Sequence, residues 1–162
     1  MSEENKRIRL LYVDDEENNL AAFKANFRRD YDIFTAISAA EGLKILEQEF
    51  VHIIICDQRM PGMTGVEFFE SILESYPDPV RVLLTGYADI EAVIDSINRG
   101  EVYRFINKPW DLFEIKNAID NAYDKYVTNK LLQEKIEELK KANSELSNFV
   151  YSVSHDLRAP LM

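Results

Sequence analysis

Five short apolar runs mark the first two-thirds of the chain, at residues 8–13, 31–36, 52–56, 81–85 and 102–106. They carry little polar alternation, as strands do when both faces are covered. Between them, apolar residues recur at three-to-four spacing, the period of a helix with one buried face. Leu20, Phe23 and Phe27 mark the first such segment, and Leu43, Ile45 and Leu46 the second. Val66, Phe69, Ile72 and Leu73 mark the third, and Ile90, Val93, Ile94 and Ile97 the fourth. Three helix starts are written as a capping residue followed three positions later by Glu: Ser38 with Glu41, Thr64 with Glu67, and Asp111 with Glu114. Strands alternating with helices predict parallel pairing through right-handed crossovers. The expected class is therefore α/β, a five-stranded doubly wound parallel sheet in the order 2-1-3-4-5.

From Asp111 onward there is no Gly, and no Pro before Pro160. The last helix therefore has no reason to stop at the domain edge. Leu112, Ile115, Ile119, Ala122 and Tyr126 follow one phase. Leu132, Ile136, Leu139, Asn143, Leu146, Val150, Val153 and Leu157 follow another, stepping by four and three as a heptad seam does. Ile136, Asn143, Val150 and Leu157 occupy a positions; Leu132, Leu139, Leu146 and Val153 occupy d. The two phases meet within residues 126–132, where a stutter or local rewinding is expected. A polar Asn143 at an a position costs stability but fixes register, which suits a parallel homodimer through residues 126–157. The expected organisation is a domain over residues 1–125, a coiled-coil linker over 126–147, and the start of a further helical unit over 148–162.

Composition narrows the function classes. The chain has 162 residues, 46% hydrophobic and 30% charged, as a folded domain with an extension does. A net charge of -10 argues against an unaided grip on nucleic acid or anionic lipid. The apolar runs are far too short to span a bilayer, and the acidic N-terminus is no secretory signal. One cysteine, Cys56, excludes an internal disulfide and suits a reducing cytoplasm. Cys56 and His52 lie in or beside an apolar strand, and both read as structural.

Polar residues gather beyond the C-terminal strand ends of an open parallel sheet. Asp14 and Asp15 follow the first run, Asp57 the third, Thr85 ends the fourth, and Lys108 lies just past the fifth. Scattered Asp residues commonly cap loops, but five polar groups at strand ends predict one site. Three crowded carboxylates repel, and a hard divalent cation with oxygen ligands, Mg²⁺ above all, resolves the repulsion. Lys108 supplies a point charge and Thr85 a hydroxyl for phosphoryl oxygens. The stretches LLYVDDE, IIICDQRMPGMTGVEF, VRVLLTGYAD and VYRFINKPWD make residues 6–125 resemble a response-regulator receiver domain, of flavodoxin-like fold. That resemblance implies that Asp57 accepts a phosphoryl group from a phosphohistidine donor protein. It implies Mg²⁺ contacts from Asp14, Asp57 and the Arg59 backbone carbonyl, with Asp15 direct or through water. It further implies that Thr85 and Lys108 bind the phosphoryl oxygens, that the Lys108–Pro109 bond is cis, and that Phe105 is the switch aromatic. Phe105 departs from the frequent Tyr by lacking a hydroxyl; Tyr103 either compensates or packs on the sheet. An Asp-nucleophile phosphatase would need an acid two residues after Asp57, where this chain has Arg59.

A second motif closes the chain. Residues 148–161, with the string Ser154-His155-Asp156-Leu157-Arg158-Ala159-Pro160-Leu161, resemble the phosphoacceptor box of a sensor histidine kinase. With Val150 at a and Val153 at d, His155 falls at f, away from the seam and open to a kinase domain. Asp156 beside it can orient the ring or take its proton. No nucleotide-binding motif accompanies the box. The expectation is an N-terminal fragment of a hybrid protein, whose receiver governs a kinase core through a dimeric helix, with ATP used only by a part not represented here. The alternative is a free-standing dimeric response regulator acting by protein contact. A straight helix from Asp111 to His155 would rise about 66 Å, against a receiver about 30 Å across. Asp57 is therefore expected to be charged by a separate donor.

Overall fold

A computed structural model describes residues 6–158. Five strands, β1 (Arg9–Val13), β2 (Asp32–Ala36), β3 (Ile53–Asp57), β4 (Val80–Thr85) and β5 (Arg104–Asn107), alternate with helices. The helices are α1 (Glu17–Phe27), α2 (Ala39–Gln48), α3 (Gly65–Ile72), α4 (Ile90–Asn98) and α5 (Leu112–Arg158). All pairings are parallel, in the order β2-β1-β3-β4-β5. This is the fold that the strand and helix periods predict. The strand limits differ from the apolar runs by one or two residues. β3 continues through Asp57, and β5 begins later because Val102 turns its N–H to the Ser96 carbonyl instead of a neighbouring strand.

The central strands bury both faces. Along β1, Leu10 and Tyr12 face one core with Phe23, Phe27, Ile115, Ile119 and Ala122. Leu11 and Val13 face the other with Leu46, Val66, Phe69 and Val93. Alternation with period two thus splits one strand between two helix layers. All three N-cap side chains accept the N–H three positions on. Ser38 Oγ accepts the Glu41 N–H at 3.1 Å, Thr64 Oγ1 accepts that of Glu67 at 3.2 Å, and Asp111 Oδ1 accepts that of Glu114 at 2.7 Å.

Three expected inward residues face solvent, Leu112 at the start of α5 being half exposed (50%). Leu43 and Ile94 are each about two-fifths exposed (39% and 44%). On α2 the residue nearest the sheet is Gly42, where an added Cβ would lie 3.2 Å from Val13 Cγ2 and 3.3 Å from Phe68 Cζ. The helix sits so close through Gly42 and Leu46 that Leu43 is rotated outward. Phe68, which the spacing did not single out, fills that contact and is fully buried.

By internal contacts the chain divides at Tyr126, into Met1–Tyr126 and Val127–Met162. α5 is helical without interruption through residues 126–132. The phase change there is one of side-chain pattern, not of backbone. Within the second unit, Leu132, Ile136, Leu139, Leu146 and Val150 are all exposed, from 42% to 69%. No helix among the described residues is long and apolar enough to cross a membrane.

Gly65 starts α3 directly beneath β3. A Cβ there would meet the Asp57 carbonyl oxygen and Leu83 Cδ1, each at 2.6 Å. Gly65→Ala is expected to destabilise the protein by about 1–3 kcal/mol. At Gly86 an added Cβ meets nothing described within 4 Å, so Gly86→Ala should stay within about 0.5 kcal/mol. Urea unfolding midpoints compare the two.

Candidate functional site

The register brings the polar residues together. Val13 pairs with Cys56, so Asp14 emerges beside Asp57. Asp57 pairs with Leu84, and Thr85 with Asn107, which sets Thr85 and Lys108 on neighbouring strand ends. The Lys108 N–H then donates to the Thr85 carbonyl at 2.9 Å. One carboxylate oxygen each from Asp14, Asp15 and Asp57 lie within 4.8 Å of one another. Lys108 Nζ sits 2.7 Å from Asp57 Oδ1. The Lys108–Pro109 peptide is cis.

Asp14 is fully buried and held from one side. Tyr12 Oη donates to its Oδ2 at 2.7 Å, Asn19 Nδ2 to the same oxygen at 3.1 Å, and the Glu16 N–H to Oδ1 at 3.0 Å. Those bonds also anchor the start of α1, whose cap residue Glu16 makes no side-chain cap bond among the described residues. Burial, the bond to Asp14 and the nearby charges of Asp14 and Asp57 push the Tyr12 phenol well above its ordinary range, so it stays a donor.

Burial likewise raises the Asp57 carboxyl above its usual range. Lys108 opposes that shift, while the charges of Asp14 and Asp15 add to it. The site thus holds an anion that prefers a counter-charge beyond the one lysine. Three carboxylates that converge, two of them buried, make an all-oxygen donor set of the kind a hard divalent cation takes. These residues fit Mg²⁺.

The remaining expected residues flank this centre. Thr85 is buried, and its hydroxyl donates to the Gly86 carbonyl at 3.1 Å. Arg59 lines a cavity of about 250 Å³ over Asp57, together with Gln58, Gly86, Asp89 and Lys108. Its side chain points outward into an ion pair with Asp89, Nε to Oδ2 2.9 Å. Phe105 is half-buried beside the core group that contains its strand partner Leu83. Tyr103, at 39% exposure, faces more to solvent. Cys56 is buried, and burial, with Asp57 and Asp14 nearby, pushes its thiol up. His155 lies on an exposed face of α5. Its ring stacks on Tyr151 at 6.3 Å, and its Nδ1 is 3.9 Å from Asp156 Oδ1. Ala159, Pro160 and Leu161 of its string lie outside the described residues.

Four supporting residues escaped the sequence reading. Tyr12 stands two positions before Asp14, on the same face of the strand by period-two alternation, and that signal was available. Asn19 is the third residue of α1, where a capping box would carry Glu or Gln, so Asn gives no such signal there. Gln58 Oε1 accepts the Val66 N–H at 3.0 Å, and its carbonyl accepts the Gly65 N–H at 3.0 Å, so it ties the Asp57 loop to α3. Gly65 allows that close approach.

Residues 10–120 match the family model of the response regulator receiver domain. A hydrogenase transcriptional regulatory protein, HoxA, of Bradyrhizobium diazoefficiens is 37% identical over 117 residues, covering 72% of this chain and 24% of that protein. Sporulation initiation phosphotransferase F of Bacillus subtilis is 26% identical over 113 residues, 68% of this chain and 90% of its own length. Among solved structures, one described as adenylate cyclase from Rhodopirellula baltica superposes with a TM-score of 0.76 at 34% identity, covering 83% of this chain and 98% of that one. The chain spans about a quarter of the length of the first curated relatives it matches.

A carboxyl whose pKa is raised on folding supports the fold below its unfolded pKa and opposes it once pH rises through the folded value. Asp57→Asn is therefore expected to melt above the parent at pH 7 without Mg²⁺. The gap should close as pH falls below the carboxylate range. Mg²⁺ at about ten times its Kd should add ~1.4 kcal/mol to the parent and distinctly less to Asp57→Asn. Thermal melts across pH, with and without the metal, read both effects.

Proposed function

The chain belongs to the response regulator receiver family, and from that premise we propose that Asp57 accepts a phosphoryl group from a phosphohistidine and that α5 carries the consequence onward. The observation behind this is the pairing of a buried Asp57 carboxylate with Lys108 Nζ at 2.7 Å, beside Asp14 and Asp15. An oxygen of Asp57 forms the new bond to phosphorus as the donor's nitrogen–phosphorus bond breaks. The electron pair leaves on the donor imidazole, which takes a proton from water. Lys108 holds one phosphoryl oxygen as a fixed positive charge. Thr85 can exchange its bond to the Gly86 carbonyl for one to another phosphoryl oxygen. Tyr12 and Asn19 hold Asp14 in place, and Asp14, Asp15, Asp57 and the Arg59 carbonyl are the proposed ligands for Mg²⁺. When bound, the metal supplies positive charge that offsets crowded carboxylate and phosphoryl oxygens. Fixed charges that need no reorganisation supply most of the rate in such transfers. Phe105 is the proposed switch residue, moving between its half-buried place and a deeper one.

The proposed output is a histidine-kinase core, reached through a parallel dimer of α5 over residues 126–157. The domain plan that goes with it keeps residues 1–125 as receiver, 126–147 as linker and 148–162 as the start of the phosphoacceptor helix. Support comes from the string around His155 and from the exposed apolar seam of the second unit. Apolar a and d side chains left in water call for a second helix. The relatives carry different names, a transcriptional regulator, a phosphotransferase and a cyclase, and the family model covers residues 10–120 alone. The output of this chain is therefore read from its own residues beyond Tyr126. A free-standing dimeric regulator remains the second reading, supported by the same seam without a role for His155.

With Mg²⁺ and a small acyl phosphate, the full chain is expected to gain one phosphoryl group by intact mass. Asp57→Asn should gain none, and Lys108→Ala should slow labelling roughly a hundredfold. Equal labelling of Asp57→Asn and the parent would remove the assignment. For the seam, light scattering should give a monomer for a chain ending at Tyr126 and a dimer for the full chain. A monomeric full chain would sink the dimer.

A further inference from the structure

His52 stands immediately before β3 and Asp57 ends it, so the two lie at opposite ends of one strand, roughly 17 Å apart. His52 joins three strands by its backbone and ring. Its N–H donates to the Arg9 carbonyl at 2.8 Å, and its carbonyl accepts the Val80 N–H at 2.9 Å. Its Nδ1 accepts the Arg9 N–H at 2.9 Å, which leaves the ring proton on Nε2. Three aromatic rings then meet the imidazole nearly at right angles. Phe50 lies at 4.8 Å and 80°, Tyr126 at 4.9 Å and 85°, and Tyr123 at 5.2 Å and 88°. Perpendicular contacts of this kind are among the favoured aromatic geometries. Tyr126 is also the last buried residue of α5 among those described.

Burial more than charge favours the neutral form of His52. Burial lowers its pKa, and the nearby cations Arg9 and Lys6 lower it further, against the opposite pull of its bond with Arg9. Glu49, from the segment after α2, is paired with Arg9 at 2.6 Å, and Asp32 of β2 with Arg7 at 3.1 Å. α5 brings two tyrosine rings to the imidazole, and β4 brings backbone.

We propose that this ring cluster is a clamp that fixes the rotational setting of α5 where the helix leaves the receiver. It rests on the reading that α5 relays the state of Asp57. α5 is helical on both sides of Tyr126, so a change at the clamp is sought at the seam positions that follow. Tyr123 and Tyr126 are three residues apart, about 60° short of a full turn. Both touch His52. Shifting the weight of contact from one tyrosine to the other turns the helix by a fraction of that angle, which gives the two discrete arrangements that coupling requires. The clamp is a positioning device and takes no part in phosphoryl transfer.

The test uses the full chain with one added cysteine at Leu132, Ile136 or Leu139, with Mg²⁺ and a small acyl phosphate. Disulfide yield at each position is compared before and after phosphorylation, with phosphate on Asp57 read by mass. The parent is expected to change its relative yields about twofold or more on phosphorylation. His52→Ala and Tyr126→Ala should phosphorylate as the parent does but lose that change. Amide exchange over residues 118–126 should rise about tenfold in both. Should His52→Ala fail to fold, Tyr126→Ala at the helix edge carries the same comparison. A phosphorylation-dependent change retained in the alanine variants overturns the clamp alone. No change in the parent overturns the relay reading and the clamp with it.

Discussion

A parallel sheet covered on both faces leaves its polar chemistry one place to go, beyond the ends of its strands. Here β1 and β3 have buried cores, and Asp14 and Asp57 come at their C-terminal ends while still buried themselves. Parallel pairing then delivers the end of every strand to the same edge, so residues from four separate segments meet without any local motif joining them. The helices matter to the site mainly through how closely they let the loops approach. Gly65 is the sharpest case, since its missing side chain makes room for the Asp57 carbonyl.

The same crowding sets the energetics of the site. Burial and two neighbouring carboxylates disfavour the charge on Asp57, and one lysine offsets only part of that. The result is a carboxylate kept under electrostatic tension, with its counter-ion on one side and a small cavity on another. Tyr12, held protonated, and Asn19 lock Asp14 so that the crowding is not relieved by a side-chain turn. Stability and reactivity therefore oppose each other at one residue, a trade common at sites built for charged ligands.

Much of this is legible in the sequence. Strand order, helix starts and the convergence of Asp14, Asp15, Asp57, Thr85 and Lys108 follow from period and from position relative to strand ends. What was not legible depends on three-dimensional closeness. Leu43 looked as inward-facing as Leu46 because spacing alone cannot show that Gly42 draws α2 onto the sheet. Gln58 and Asn19 are ordinary polar residues whose bonds to backbone and to Asp14 have no sequence signature. His52 was read as structural, and its ring contacts agree, but the meeting with Tyr123 and Tyr126 joins residues more than seventy positions apart.

The uninterrupted run of α5 past Tyr126 has a consequence for how such a chain can change length. Each residue inserted into a helix turns everything after it by about 100°. One insertion would carry Leu139 and Val150 off their seam, and two or three would do little better. Seven residues make nearly two turns, leaving an offset of only about 20° that supercoiling absorbs. Length variation in this segment is therefore quantised. Steps of seven or eleven residues each leave only about 20°, so the seam tolerates those additions and not single residues.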